Sequence, residues 1–141
     1  MKTLATVLPI FAMIITIGGC QTDSRQQILA VDKSQVALRS VQSRTFDTSD
    51  HALTLRTIIA TLQDLGFTVD KADSEIGIVS ATKAGDYLMK MTVSARQRGY
   101  KQTAVRASVQ YNLKAVSDAA PYQRFFNSLE QAMFLKANKV H

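Results

Sequence analysis

The chain has few of the residues that usually carry covalent cross-links, metals or catalysis. It contains one cysteine, two histidines and no tryptophan in 141 residues. A single cysteine cannot form an internal disulfide, and a structural zinc site needs several cysteine or histidine ligands. The sequence also lacks a nucleophile elbow, a phosphate-binding loop and a dinucleotide fingerprint. We therefore predict a protein that is not an enzyme and that holds no cofactor and no metal.

The remaining residues of chemical interest show no spacing typical of a site. His51 is predicted in the first turn of a helix, where we expect it to be solvated, and His141 ends the chain. The acidic residues of the predicted turns lack the EF-hand pattern, so turn formation explains them better than metal binding. An envelope hydrolase stays as an alternative that needs a nucleophile beside a base. The residues weighed for these roles are Asp70, Asp73, Glu75, Asp86, Ser94 and Ser108.

The longest apolar run lies at the N-terminus and is shorter than a spanning helix. Lys2 is followed by residues 4–17, which carry no charge. This length is typical of a signal peptide, because a spanning helix needs about 20 apolar residues. The run ends in Ile17, Gly18, Gly19 and Cys20, which resembles the lipobox of bacterial lipoproteins. We predict a signal peptide over residues 1–19, with cleavage between Gly19 and Cys20.

The lipoprotein resemblance gives the single cysteine a role. It implies that Cys20 carries a thioether diacylglycerol and usually an N-acyl chain such as palmitate. Each buried methylene contributes about 0.8 kcal/mol, so two or three chains anchor a protein durably to a membrane. Gln21 follows the cysteine where aspartate would imply inner-membrane retention, so we expect an outer-membrane protein that faces the periplasm. The alternative is a signal peptide or membrane anchor in which Cys20 is incidental.

Composition and charge indicate one domain behind a short tether. Residues 20–35 are mostly polar and read as the lipidated cysteine and its tether, and residues 36–141 as a single domain. The formal net charge of +6 favours an anionic lipid surface or an acidic protein partner. Nucleic acid is not expected as a partner in this compartment, and the oligomeric state stays open.

Hydropathy periodicity predicts an α+β fold. We expect a first strand in residues 36–46, further strands in residues 67–70, 76–82, 87–96 and 105–112, and hairpin turns at residues 85–86 and 98–99. Apolar residues at spacings of three and four predict two helices, the first ended by Gly66 and the second opened by Pro121. The prediction is an antiparallel sheet of four to five strands with two helices packed on one face. The helix stripes are Leu55, Ile58, Ile59, Leu62 and Leu65, and then Phe125, Phe126, Leu129, Ala132 and Met133.

Residues 44–47, 62–70 and 73–79 resemble the helix-grip domains of BamC, a lipoprotein of the outer-membrane barrel-assembly machinery. The likeness covers about two thirds of the chain and lies mostly in structural motifs, such as a polar turn, a glycine and an aliphatic strand. It implies a helix-grip fold and a role in the assembly or stabilisation of outer-membrane proteins. BamC has a long unstructured N-terminal region and two such domains in tandem, whereas this chain has room for one domain.

Two surfaces are predicted to contact partners. A basic hairpin tip contains Arg96, Arg98, Tyr100 and Lys101, and Arg106 adds charge from the wet face of the sheet. This arrangement suits an acidic protein or lipid headgroups. The alternative is a solvated hairpin whose charges keep it soluble and prevent edge pairing. The second surface is the polar sheet face that bears Lys90, Thr92, Ser94, Arg106, Ser108 and Gln110.

These observations favour a non-catalytic, lipid-anchored envelope protein that acts as a binding or scaffold module. One alternative is an accessory lipoprotein of a secretion or pilus system. Another is a periplasmic module that binds a small ligand or inhibitor in a groove between helix and sheet. Met89 and Met91 are adaptable enough to line such a groove, although such residues are more often part of the core.

Overall fold

The computed structural model describes residues 35–137. The predicted signal peptide, the lipobox with Cys20, almost all of the tether and His141 lie outside these residues. The predictions that concern processing and anchoring therefore stay predictions.

The described residues form three helices and six strands. The first helix, α1, covers residues 35–42. The other elements are β1 (Ser43–Phe46), α2 (His51–Asp64), β2 (Thr68–Asp73), β3 (Ile78–Lys83), β4 (Met89–Arg98), β5 (Gln102–Tyr111), β6 (Lys114–Ala115) and α3 (Ala120–Ala137).

All strand pairs are antiparallel, and the order across the sheet is β1-β5-β4-β3-β2, with β6 also paired to β5. Helices α2 and α3 contribute buried apolar residues to a core that they share with β3, β4 and β5. The predicted α+β class is confirmed. The core residues that are fully inaccessible include Ile58, Leu62, Val93, Val105, Ala107, Phe125, Phe126 and Leu129.

Helix α2 begins and ends where its sequence predicts. The carboxylate of Asp50 accepts a hydrogen bond from the backbone N–H of Leu53 at 2.8 Å, which satisfies one of the free donors of the first turn. Gly66 ends the helix with a φ of +83°, a left-handed conformation that favours glycine. The N–H of Phe67 then donates to the carbonyl of Leu62 at 2.9 Å, which satisfies a carbonyl of the last turn.

The predicted first strand was wrong over most of its length. Residues 35–42 are helical, and only Ser43–Phe46 pair with β5. The side chains of Leu38 and Val41 pack against the core, at a spacing of three that matches a helix. A strand would have placed Leu38 on the same face as Ser40 and Gln42, which would have brought polar side chains to the core.

The turns also differ from the predicted positions. Strand β2 continues to Asp73, three residues beyond the predicted end at residue 70. Strand β4 begins at Met89, and Tyr87, the first residue of the predicted strand, is 66% exposed. The β3–β4 connection covers residues 84–88 instead of two residues. Arg98 pairs with Gln102, which moves the next turn to residues 99–101. The two-residue strand β6 was not predicted.

Candidate functional site

The helices cover one face of the sheet and leave the other face, the outer face, to solvent. Inward residues such as Val93 and Ala107 are buried, whereas their strand neighbours are partly or fully exposed. This alternation confirms the predicted period of two in β4 and β5. The outer face includes Ser43, Thr45, Thr68, Lys71, Asp73, Ile78, Ser80, Thr82, Lys90, Thr92, Ser94, Arg96, Arg98, Gln102, Ala104, Arg106, Ser108 and Gln110.

Hydroxyl groups and amides of the outer face lie in rows across the strands. Thr92 is paired with Ser108 and Ser94 with Arg106, and the hydroxyls of Ser80 and Thr92 are 3.4 Å apart. Hydroxyl groups donate and accept hydrogen bonds, so these rows offer both functions to a partner. Ile78 is the one large apolar residue among those that make up the face. The predicted polar sheet face therefore exists as a continuous surface over β3, β4 and β5.

The cations of the outer face lack carboxylate partners. Within residues 35–137 one ion pair is present, between Arg44 and Glu130. Glu130 belongs to α3, so this ion pair lies on the helix side of the sheet and not on the outer face. The carboxylate of Asp70 accepts a hydrogen bond from the hydroxyl of Thr82, and Asp73 is paired with Ile78. These two residues add two negative charges at the edge of the face, against five positive charges. The face therefore carries a net positive charge. Its cations are Lys71, Lys90, Arg96, Arg98 and Arg106.

Residues 96–101 form the basic hairpin, which joins β4 to β5. Tyr100 is 95% exposed, and no atom lies within 4 Å of the position that a Cβ on Gly99 would occupy. The tip therefore stands clear of the rest of the domain. Arg96 and Arg98 lie at alternate positions of β4 and so share a face.

Arg106 lies on that same face, because its partner in β4 is Ser94. It therefore sits within the sheet, next to the hairpin but not at its tip. The structure thus brings together the residues predicted for partner contact as two adjoining groups. Arg98, Tyr100 and Lys101 form the tip, and Arg96 and Arg106 connect it to the outer face.

A pocket of about 170 Å³ lies on the helix side of the sheet, between the end of α2, strands β3 to β5 and the start of α3. Met89 and Met91 both line it, as the small-ligand alternative predicts. Its charged residues come from three separate segments and were not predicted, because no local pattern joins them; they are Lys83, Asp118 and Arg124. On the α3 side of the pocket, Pro121 is the one lining residue that the sequence pattern had singled out.

The other residues of chemical interest have structural roles. His51 is half-buried, and its Cε1 lies 2.8 Å from where a Cβ on Gly77 would be, so the side chain is less exposed than expected and packs beside the turn before β3. The carboxylate of Asp73 accepts hydrogen bonds from the N–H groups of Glu75 and Ile76, both at 3.1 Å, which is the predicted turn role. Over the described part of the chain, no three histidine, cysteine or carboxylate side chains come together as metal ligands.

No protein-family model and no curated protein matches the chain. Within residues 35–137, no helix combines the length and the apolar character that a membrane crossing requires. The outer face, the basic hairpin and the pocket are therefore the features of the domain that bear on its function.

Proposed function

We propose that the protein is a non-catalytic lipoprotein of the outer membrane whose domain acts as a binding or scaffold module for an acidic partner protein of the envelope. The observation that carries this proposal is the group of cations on the basic hairpin and outer face that lack carboxylate partners in the domain. Folding of the domain does not require a cluster of unpaired cations on its surface. Charges of one sign gathered on a single accessible surface favour a partner of opposite charge.

The proposed lipid anchor is supported by Cys20 and the residues that precede it. An aliphatic residue and two glycines precede the cysteine, as in a lipobox, and the apolar run before them has signal-peptide length. Lipid on Cys20 would hold the domain at the membrane surface. A tether over residues 20–35 would leave it room to reach a neighbouring membrane protein.

The likeness to BamC supports a partner that takes part in outer-membrane protein assembly. The residues that carry the likeness form most of β1, the end of α2, strand β2, the following turn and the start of β3. They build the helix-on-sheet framework, and the basic hairpin lies outside them. The likeness therefore supports the fold and the envelope setting. The position of the partner surface is supported by the charges of the basic hairpin and the outer face.

Electrostatic contacts of this kind act mainly on the rate of association. A single exposed ion pair typically contributes about 0–1 kcal/mol, so no one arginine of the hairpin is expected to dominate the affinity. Several cations together steer an acidic partner, and that steering weakens as salt screens the charges. A complex formed here should therefore associate more slowly at high ionic strength.

Site-specific photocrosslinking in intact envelopes tests the proposal. A photoreactive amino acid in place of Tyr100 should give a discrete adduct, because this side chain is 95% exposed at the tip of the hairpin. The same residue in place of Gln131, which is exposed on α3, should not give that adduct.

The charge requirement is tested in the same system. We expect the paired substitution of Arg98→Ser and Lys101→Ser to lower the rate of adduct formation by about tenfold at low salt. A control that removes two exposed positive charges elsewhere, Arg56→Ser with Lys114→Ser, should leave the rate unchanged. An adduct that forms equally fast in both variants would assign the hairpin to solubility and contradict the proposal.

A further inference from the structure

The pocket on the helix side has the size of a site for one small apolar group. Its volume of about 170 Å³ is close to that of engineered apolar cavities of about 150 Å³ that bind benzene. Drug-sized ligands need about 300–1,000 Å³. The pocket therefore suits an apolar group of about six carbon atoms.

The floor of the pocket is apolar and adaptable. It is formed by Leu65 and Phe67 after α2, by Met89 and Met91 of β4, and by Tyr111 at the end of β5. Methionine is unbranched and polarisable, so it adjusts to ligands of slightly different shape. Phe67 and Met91 are buried, which gives the floor a fixed base, while Met89 and Tyr111 are half-buried.

The rim of the pocket carries two cations and one carboxylate. The ammonium of Lys83 donates to the carbonyl of Leu65 at 2.8 Å, which positions it and leaves two of its three donors for a ligand. Arg124 is exposed on α3 and forms no ion pair within the described residues. The carboxylate of Asp118 accepts a hydrogen bond from the N–H of Ala120 at 3.1 Å, at the start of α3. The rim has a net charge of +1.

We infer that this pocket binds a small monocarboxylate that carries an apolar group of about six carbon atoms. The apolar group lies on the methionine floor, and the carboxylate lies between Lys83 and Arg124. A single negative charge complements the net charge of the rim. This inference does not rest on the proposed function, because the basic hairpin and the outer face lie across the sheet from the pocket.

Methionine-methyl NMR tests the inference with the full chain in phospholipid nanodiscs. The chain has five methionines, of which Met89 and Met91 line the pocket. Met133 lies away from this pocket and serves as an internal control. Substitution of each methionine by leucine assigns the signals. We expect hexanoate and phenylacetate to shift the signals of Met89 and Met91 saturably and to leave that of Met133 in place.

Matched ligands and variants separate the two parts of the site. Acetate lacks the apolar group and hexanol lacks the charge, so each should bind at least about tenfold more weakly than hexanoate. Arg124→Gln should weaken hexanoate binding by about tenfold, because a hydrogen bond to a charged group is lost. Asp118→Asn should tighten it, because the asparagine still accepts from Ala120 but no longer repels the ligand. Arg106→Gln, on the outer face, should have no effect.

Three results would overturn the inference. They are the absence of a saturable shift at Met89 and Met91, equal binding of hexanol and hexanoate, and unchanged binding in Arg124→Gln. None of them affects crosslinking through position 100, so failure of this site and failure of the proposed partner surface are distinguishable.

Discussion

Gly77 lies where three parts of the domain meet, and its replacement by alanine gives a sharp test of that packing. The residue is buried in the turn before β3, with a φ of +69°. A Cβ at this position would lie 2.4 Å from the carbonyl oxygen of Ala95 and 2.8 Å from Cε1 of His51. The carbonyl of Gly77 also accepts a hydrogen bond from the N–H of Ala95 at 2.8 Å, so β4 cannot move away without loss of that bond.

Gly99→Ala provides the matched control. Gly99 has nearly the same φ, +67°, but nothing lies within 4 Å of its Cβ position. A left-handed backbone costs a residue with a side chain about 1–2 kcal/mol, and this cost applies to both variants. Overpacking in a close-packed site adds about 1–3 kcal/mol, and this cost applies only to Gly77→Ala. We therefore expect Gly77→Ala to lower the free energy of unfolding by about 1–3 kcal/mol more than Gly99→Ala.

Urea denaturation of the full chain, followed by far-UV circular dichroism, measures both changes. His51→Ala added to Gly77→Ala should restore part of the loss, because the imidazole is one of the two obstructing groups. The rescue should be incomplete, since the carbonyl of Ala95 belongs to the backbone of β4. Equal losses in Gly77→Ala and Gly99→Ala would refute the close approach of this turn to β4 and α2.

The other predictions concern the anchor and the core. Cys20→Ala should abolish metabolic labelling with a fatty acid, since no other cysteine is present, and undiminished label would reject lipidation. Leu62→Ala should cost about 2–5 kcal/mol in urea denaturation, because the side chain is fully buried, and a loss below about 0.5 kcal/mol would contradict the helix-on-sheet packing. Tyr122→Phe should cost about 1–3 kcal/mol, because the N–H of Val109 donates to the buried Tyr122 hydroxyl at 3.2 Å and would lose its partner. An unchanged unfolding midpoint would show that water replaces the hydroxyl.

The parts of the fold that were predictable from sequence are those with a strong local pattern. Helix α2 has an apolar stripe over four turns, a capping aspartate at Asp50 and a terminating glycine at Gly66. In β4 and β5, more exposed and more buried residues alternate over most of the ten positions of each strand, which is long enough to exclude a helical period. In each case the residues that decide the structure are neighbours along the chain.

The elements that were missed depend on contacts between distant residues. In α1 the apolar side chains are too few to separate a period of two from one of 3.6, and packing of Leu38 and Val41 on the core decides the outcome. Strand β6 has two residues and exists through its pairing with β5. The pocket is the clearest case, because Lys83 and Arg124 are 41 positions apart and meet only after the sheet and α3 have packed.

The composition of the outer face also fixes the kind of complex that it can form. Obligate interfaces resemble a hydrophobic core cut in half, and this face has Ile78 as its one large apolar residue. Thr92 is β-branched and so favours the strand conformation of β4, and it adds no large apolar side chain to this face. A complex through this face would therefore be polar, hydrated and reversible, with a rate of association that falls as salt rises. Because exposed charges such as Arg106 contribute less than about 0.5 kcal/mol to folding, binding at this face can be altered by mutation while the core under it stays intact.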